Sequence, residues 1–456
     1  MDLQEEKYRK MTQPPVQKVI LKLAVPCIIS MLVTAFYNMA DTFFVGMLDD
    51  TSASGAVGVA FSMMAIIQAV GFFFGHGSGN FISRCLGQKN YENAAKMAAT
   101  GFFSAFFAGI LICIAGSVFL KPLAYLLGST DTILPYTMAY MQVILLGAPW
   151  MCASLVLNNQ LRFQGSAIYA MVGIFSGAVI NIGLDPLLMF TFGLGVAGAG
   201  WATIISQFIS FVILLIGCSR GGNLRISFKN MQFKGSYYLQ MLKGGLPSLA
   251  RQGLASVATI CLNQAAKGYG DAAIAAMGIV QRIMHFGASA MIGFGQGFQP
   301  FCGFNYGAKL YRRVKDGFRF CVKGSFFFLL FVSTLLILIA EPLVGAFRND
   351  PDVIAFGTLA LRLQCMTFPL QSWIVMSNMM EQVMGRTVPA TFLAMARQGV
   401  FFIPAVLGLT ALFGPVGVQS AQSVADVLTI ACAVPIQLYV MRSLPDHDLV
   451  ASGKKV

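Results

Sequence analysis

Twelve continuous apolar stretches run along the chain, separated by short polar or Gly/Pro-rich breaks: approximately 21–46, 55–81, 95–120, 133–157, 167–191, 195–217, 238–265, 273–301, 318–340, 353–379, 388–412 and 416–440. Each is long enough for a membrane-crossing helix of roughly 20 residues. None shows the period-two alternation of a barrel strand, as the run from Ser325 to Ala340 illustrates. The pattern therefore predicts an all-α membrane protein with twelve transmembrane helices. No room is left for a large soluble domain.

Composition agrees with that reading, since 57% of the 456 residues are hydrophobic and 11% charged. The net charge of +13 could suggest nucleic acid in a soluble protein. In a lipid-embedded chain it reports orientation instead, because Lys and Arg collect on the cytoplasmic side. With the N-terminus inside, 24 Lys and Arg fall in inner segments, against Lys121, Lys267 and Arg348 outside. Arg251, Arg282, Arg362 and Arg397 fall within helices. Both termini are therefore expected in the cytoplasm, in an integral cell-membrane protein. The segment before Lys22 is polar and mixed in charge, with no apolar core leading to a small-residue cleavage site, so it does not read as a signal peptide. The ten Cys fall mostly in apolar runs and imply no disulfide framework.

An internal repeat organises the chain. Gly58/Gly278, Met64/Met284, Gly75/Gly295, Gly77/Gly297, Gly87/Gly307, Tyr91/Tyr311, Pro122/Pro342, Pro149/Pro369 and Gly165/Gly385 all obey a shift of 220 residues. Pro26 and Pro247 match after a one-residue slip. Six helices per half is an even number, so the halves are parallel repeats, an architecture that builds transporters in which one half rocks against the other. The expected organisation is a cytoplasmic segment 1–20, a first six-helix lobe 21–217, a linker 218–237, a second lobe 238–441 and a cytoplasmic tail 442–456.

Charges within the membrane cost roughly 2.5 to 3.5 kcal/mol each on insertion scales, so each needs a reason. Asp41 in the first helix and Asp185 in the fifth share one depth, roughly 8 to 9 Å beneath the outer surface at 1.5 Å per residue. Thr34, Tyr37, Asn38 and Asp41 follow helical spacing, Asn181 precedes Asp185 by one turn, and Thr203 and Gln207 are again a turn apart. Two carboxylates, an amide and a hydroxyl offer hard oxygen ligands to a small cation such as Na+, or a trap for a proton. A purely structural ion pair is the competing explanation, but the first half is expected to hold no Lys or Arg inside its helices. In the second half the odds reverse: Arg397 and Asp426, on adjacent helices near mid-membrane, are expected to pair structurally.

Thr34, Tyr37, Asn38, Tyr140, Asn158 and Gln207 are candidate substrate-cavity residues, while most aromatics and Met are expected to serve lipid contact and core. Tyr37, Tyr136, Tyr140 and Met side chains suit flat organic cations through cation–π and sulfur contacts. No phosphate-binding Gly-rich loop, Cys-x-x-Cys or His-Glu-x-x-His is present. No catalytic residue and no cofactor are expected. The three His, at 76, 285 and 447, do not form a metal motif.

The run from Met31 to Gly46 through Tyr37-Asn-Met-Ala-Asp41, then Leu161-Arg-Phe-Gln-Gly165-Ser, Asn181-Ile-Gly-Leu-Asp185-Pro186, and Gly293 to Ala308 together resemble the multidrug and toxic compound extrusion (MATE) family. The resemblance spans roughly residues 15 to 440. It implies V-shaped six-helix lobes that export organic cations and drugs in exchange for Na+ or H+, acting as a monomer in a prokaryotic membrane. In the branch resembled, first-lobe acids matching Asp41 and Asp185 couple the ion, with Asn181 and Thr203 beside them. Another branch uses acids in helices seven and ten. Here helix seven has none, helix ten has none before Glu381, and Ala405 is the repeat partner of Asp185.

Three rivals stand beside this reading. A lipid-linked precursor flippase would show a broad basic cavity, for which the four interior Arg are candidates. A major-facilitator transporter would carry an acidic-then-basic signature after helix two, where this chain reads Ser83-Arg-Cys-Leu-Gly-Gln-Lys-Asn. A membrane-embedded enzyme would need a nucleophile, base or metal constellation.

Overall fold

The computed structural model describes residues 3–47, 51–446 and 448, with the side chains of 41–43, 45–46, 51–55 and 60 outside that description. Every regular element among the described residues is helical. In order the helices are α1 Leu3–Thr12, α2 Val16–Gly46, α3 Thr51–Gly87, α4 Tyr91–Val118, α5 Leu120–Leu126, α6 Leu134–Phe163, α7 Ala167–Pro186, α8 Gly195–Cys218, α9 Gly235–Lys267, α10 Asp271–Gly307, α11 Tyr311–Leu338, α12 Ala340–Phe347, α13 Pro351–Thr367, α14 Gln371–Met384, α15 Thr387–Met395, α16 Phe402–Phe413 and α17 Pro415–Ser443. Among the described residues, ten spans are long and apolar enough to cross a membrane. The predicted seventh and eighth crossings correspond to α9 and α10, of 33 and 37 residues, which carry more polar side chains, including Arg251, Gln252, Arg282 and Gln299.

Two compact units result, Met1–Pro14 with Ile29–Gly245, and Pro15–Ile28 with Leu246–Val456. One division falls between α1 and α2, at Pro14 and Pro15; the other two fall inside long helices beside matched prolines, Pro26 in α2 and Pro247 in α9. Proline has no N–H, so the helical bonds to the carbonyls of Lys22 and Lys243 are missing at these points.

In the first unit α6 is the central helix, packed against α3, α4 and α8. Its inner half is buried almost throughout, from Met151 to Phe163 with Leu155 the one exception. Tyr140, Met141, Ile144, Leu145 and Ala148 join Ile67 in the same core. In the second unit, Phe298, Phe301 and Phe304 of α10, Phe318 of α11 and Phe368 are fully buried and supply the bulk of the packing.

The shift of 220 seen in the sequence recurs as geometry inside each unit. Lys89 and Lys309 both take left-handed backbone, at φ 59° and 60°. The amides of Asn90 and Leu310 donate to the carbonyls of Cys85 and Asn305, each at 2.8 Å, the six-residue closure that ends a helix around a left-handed residue. Gly165 and Gly385 repeat the device at φ 78° and 79°. Asn158 Nδ2 donates to the Ala170 carbonyl at 3.0 Å, and Asn378 Nδ2 to the Ala390 carbonyl at 2.6 Å. These bonds tie the fourth helix of each half to the fifth.

Candidate functional site

The first-unit acid sits where α7 changes character. Asn181 and Asp185 lie four residues apart and therefore on one face, and both are fully buried. Pro186 follows at once, removing the N–H that would bond the Ile182 carbonyl, and the helix widens into a π turn over Leu187–Thr191. Such widened turns re-aim the side chains beside them.

Close packing then brings α8 alongside. A Cβ on Gly173 would stand 2.4 Å from Leu214, one on Gly177 3.1 Å from Ser210, and one on Gly198 2.8 Å from the Leu188 carbonyl, so glycines allow the approach. These contacts describe one antiparallel register, in which Asp185 is level with Ala202, and Asn181 with Ser206. Thr203 is thereby within one residue's rise of Asp185, is fully buried, and donates to the Ala199 carbonyl at 3.0 Å. α6 runs parallel to α8, with Gly200 against Val143 and Gly147 against Ile204. That register sets the fully buried Tyr140 roughly five residues, about 7 to 8 Å, outward of Asp185. Asn181 is the most informative member: among the described residues neither its Oδ1 nor its Nδ2 has a hydrogen-bond partner. A buried amide left so costs about 1–3 kcal/mol per group.

The other predicted residues are distributed as follows. Asp41 lies on α2, but its side chain falls outside the described residues. On the same helix Thr34 is half-buried and donates to the Ser30 carbonyl at 2.8 Å, Tyr37 is half-buried and Asn38 exposed. Gln207 is half-buried on α8, and Tyr136 is exposed near the start of α6. Asn158 is buried with its amide nitrogen held by Ala170, a bond that belongs to the repeat.

In the second unit Arg397 Nε stands 2.8 Å from Asp426 Oδ1, linking the π turn at Ala396–Val400 to α17. Asp426 is 1% exposed and also accepts from Gln422 at 3.0 Å, Gln371 at 3.2 Å and Thr367 at 3.5 Å. Of the remaining interior arginines, Arg282 and Arg362 are exposed and Arg251 half-buried. Arg362 Nε donates to the Ile337 carbonyl at 3.4 Å.

Two buried polar groups escape the sequence pattern. The expectation that the first half holds no basic residue inside its helices is corrected by Arg162. Hydropathy ends the fourth span near 157, yet α6 continues to Phe163 and buries Arg162. Its Nη2 donates to Asn159 Oδ1 at 2.5 Å and faces His76 Nε2 at 3.3 Å, while His76 stacks on Phe72. This cluster lies some 22 residues along α6 from Tyr140, about 33 Å, and so at the far end from the acid. Glu381 on α14 is the second: it is fully buried, and neither carboxyl oxygen has a hydrogen-bond partner among the described residues.

The MatE family model matches the chain twice, over residues 26–187 and 247–407. The two matches begin 221 residues apart and end 220 apart, which is the internal shift. The multidrug export protein MepA of Staphylococcus saprophyticus is 26% identical over 441 residues, covering 96% of this chain and 97% of that protein. MepA of Staphylococcus haemolyticus is 27% identical over 428 residues, covering 94% and 93%. Among solved structures, a crystal structure of MATE in complex with MaL6 superposes with a TM-score of 0.90 at 23% identity, over 96% of this chain and 98% of that one. The outward-facing conformation of a multidrug resistance MATE family transporter of the MOP superfamily gives 0.89 at 23%, over 95% and 98%. Apolar spans and relatives together make this an integral, multi-pass protein of a bacterial cell membrane. With both of its halves matched separately, and with the repeat visible in sequence, helix ends and hydrogen bonds alike, the chain belongs to the MatE family.

Proposed function

We propose that the chain is a secondary active multidrug exporter, which moves small organic and mostly cationic molecules outward in exchange for entering H+ or Na+ as its two lobes rock. It works as a monomer and without a cofactor, with both termini in the cytoplasm. The fully buried Asp185, beside Asn181 and Thr203, carries the proposal. Its carboxylate, the Asn181 amide oxygen and the Thr203 hydroxyl are hard donors suited to Na+, and the same carboxylate can hold a proton. Asp41 on α2 supplies the second carboxylate in this reading. Loading changes the local charge by one unit, worth about 2.3 kcal/mol per 100 mV of membrane potential. Tyr37 and Tyr140, with Thr34, Asn38 and Gln207, supply the aromatic and polar contacts for a flat cation, whereas Asn158, 18 residues and about 27 Å along α6 from Tyr140, stands apart from that set.

The relatives named as multidrug export proteins support the export half of the reading. A flippase needs free basic groups for pyrophosphate, and the ion pair between Arg397 and Asp426 removes one of the four candidates. The test is efflux from reconstituted vesicles under a pH gradient and a Na+ gradient imposed separately. The proposal expects one gradient to drive efflux, and Asp41→Asn and Asp185→Asn each to abolish it without loss of folded protein. Undiminished efflux from both variants overturns it.

A further inference from the structure

The second unit has an open groove of about 670 Å³ at the inner end of α15 and α17, walled by Thr387, Val388, Pro389, Pro435, Ile436 and Tyr439. Val388 is 80% exposed and Tyr439 72%, so the groove faces outward from the helix pair. Arg386 closes one end and reaches across to α17, where its Nη2 donates to Ser443 Oγ. Arg442, three residues beyond Tyr439 and seven beyond Pro435, shares their helical face and is exposed. The first turn of α15 begins at Thr387 with no side chain capping it, which adds free N–H groups to the same end. No acidic residue lines the groove.

The first unit shows what normally occupies this place. There the equivalents of Pro389 and Gln437 are Tyr169 and Gly217, one shift of 220 earlier. The Tyr169 ring lies over Gly217 and Gly221, where added Cβ atoms would meet it at 3.5 and 3.0 Å. Ser166, the equivalent of Arg386, donates to Asn223 Oδ1 at 2.7 Å, and Asn223 Nδ2 in turn donates to the Gly217 carbonyl at 2.9 Å. The first unit thus fills the space with its own ring and linker. In the second, proline replaces the tyrosine, a buried Gln437 replaces the glycine, and arginine replaces the serine, which leaves an apolar trough with a cationic end.

We propose that this groove holds one anionic phospholipid of the inner leaflet, its headgroup against Arg386 and Arg442 and an acyl chain along Pro389, Pro435, Ile436 and Tyr439. Depth and chemistry agree: the basic residues mark the cytoplasmic side, where headgroups lie, and the apolar wall extends from there toward the bilayer interior. The site is independent of ion coupling at Asp185.

The test is native mass spectrometry of the full chain in neutral detergent, titrated with phosphatidylglycerol, phosphatidylcholine of the same chains, or inorganic phosphate. One phosphatidylglycerol should bind in preference to phosphatidylcholine, and phosphate should not displace it. Arg386→Gln should weaken phosphatidylglycerol about fivefold, the effect of one basic residue at an anionic surface, and Arg442→Gln should add a similar loss. Ile436→Trp, which fills the trough, should weaken both lipids and keep the headgroup preference. Equal binding of the two lipids to the native chain, an unchanged preference in Arg386→Gln, or displacement by phosphate would each overturn the assignment.

Discussion

Replacing Arg397 by Met tests whether the second-unit ion pair is structural. Asp426, 1% exposed, would lose its charged partner at 2.8 Å and keep three neutral donors, Gln422, Gln371 and Thr367. Breaking a buried pair by removing one member costs about 3–5 kcal/mol. The remaining donors, and the 23% exposure of Arg397, place this case at the lower end, about 3 kcal/mol. Asp426→Leu strands three donors and an arginine whose long stem lets it move toward water, for a similar loss of about 2–4 kcal/mol. The double variant leaves no isolated charge and should lose less than the two single losses combined, by about 2 kcal/mol or more of coupling. For a body of some 200 residues each kcal/mol shifts the midpoint by about 2–4 °C, so Arg397→Met should melt about 6–12 °C below the native chain. Fluorescence-detected size exclusion after graded heating reads this directly in one detergent. If Arg397→Met melts within about 2 °C of the native chain, or the double variant loses the full sum, the pair is not holding α17 to the preceding helix.

Other substitutions probe the remaining links. Asn158→Leu and Asn378→Leu remove equivalent bonds, to Ala170 and Ala390, and should each cost about 1–3 kcal/mol; heat stability that falls in one and not the other would show that the repeat is not energetically equivalent there. Gly385→Ala forces an L side chain into φ 79° and should cost about 1–2 kcal/mol, read as a lower melting midpoint, whereas Ala at Gly183, where an added Cβ meets nothing within 4 Å, should change little. On the cytoplasmic side, burial holds the Lys7 amine down at about 8, against an ordinary value of 10.5, where it bonds Asn223. The detached helix α1 binds more protons than the docked one between those values, so docking strengthens as pH rises from about 8 towards 10.5 and is weakest, and constant, below about 8. Hydrogen exchange across residues 3–12, corrected for its intrinsic pH dependence, should slow as pH rises from about 8 to about 10, and Lys7→Arg should abolish that change.

How far the sequence reaches depends on which force decides each residue's position. Matched glycines and prolines were legible because backbone geometry admits few substitutes: Gly165 and Gly385 stand at positive φ, and Pro26 and Pro247 lie beside the two divisions between units that fall inside helices. Helical spacing was enough to group Asn181 with Asp185 on one face of α7. Hydropathy failed at Arg162 and could not interpret Glu381, because a window average sees neither the Asn159 and His76 partners of Arg162 nor the packing that buries Glu381. The π turn beyond Asp185 is foreshadowed only by Pro186, and Lys89 and Lys309 carry no glycine to announce their left-handed backbone. The groove at Arg386 is legible only when the two halves are compared residue by residue.

That comparison also explains why the acids differ between units. Gly177 and Arg397 are one shift of 220 apart, and so are Ser206 and Asp426. The pairs occupy the same register in their helices, since a Cβ on Gly177 would stand 3.4 Å from the Ser206 carbonyl while Arg397 and Asp426 meet at 2.8 Å. The first unit spends this level on close approach through small residues, and α7 and α8 contain no Lys or Arg. Its acid lies two turns further outward at Asp185, whose counterpart in the second unit is Ala405. The second unit instead cross-links the level with a charged pair and carries no acid farther out on that helix. A shared backbone thus supports two arrangements: in one a carboxylate is fixed by an arginine on the neighbouring helix, in the other the carboxylate is set among amide and hydroxyl groups. The proposal of ion loading at Asp185 follows from this difference, since the arginine that fixes Asp426 in the second unit has Gly177 as its counterpart in the first.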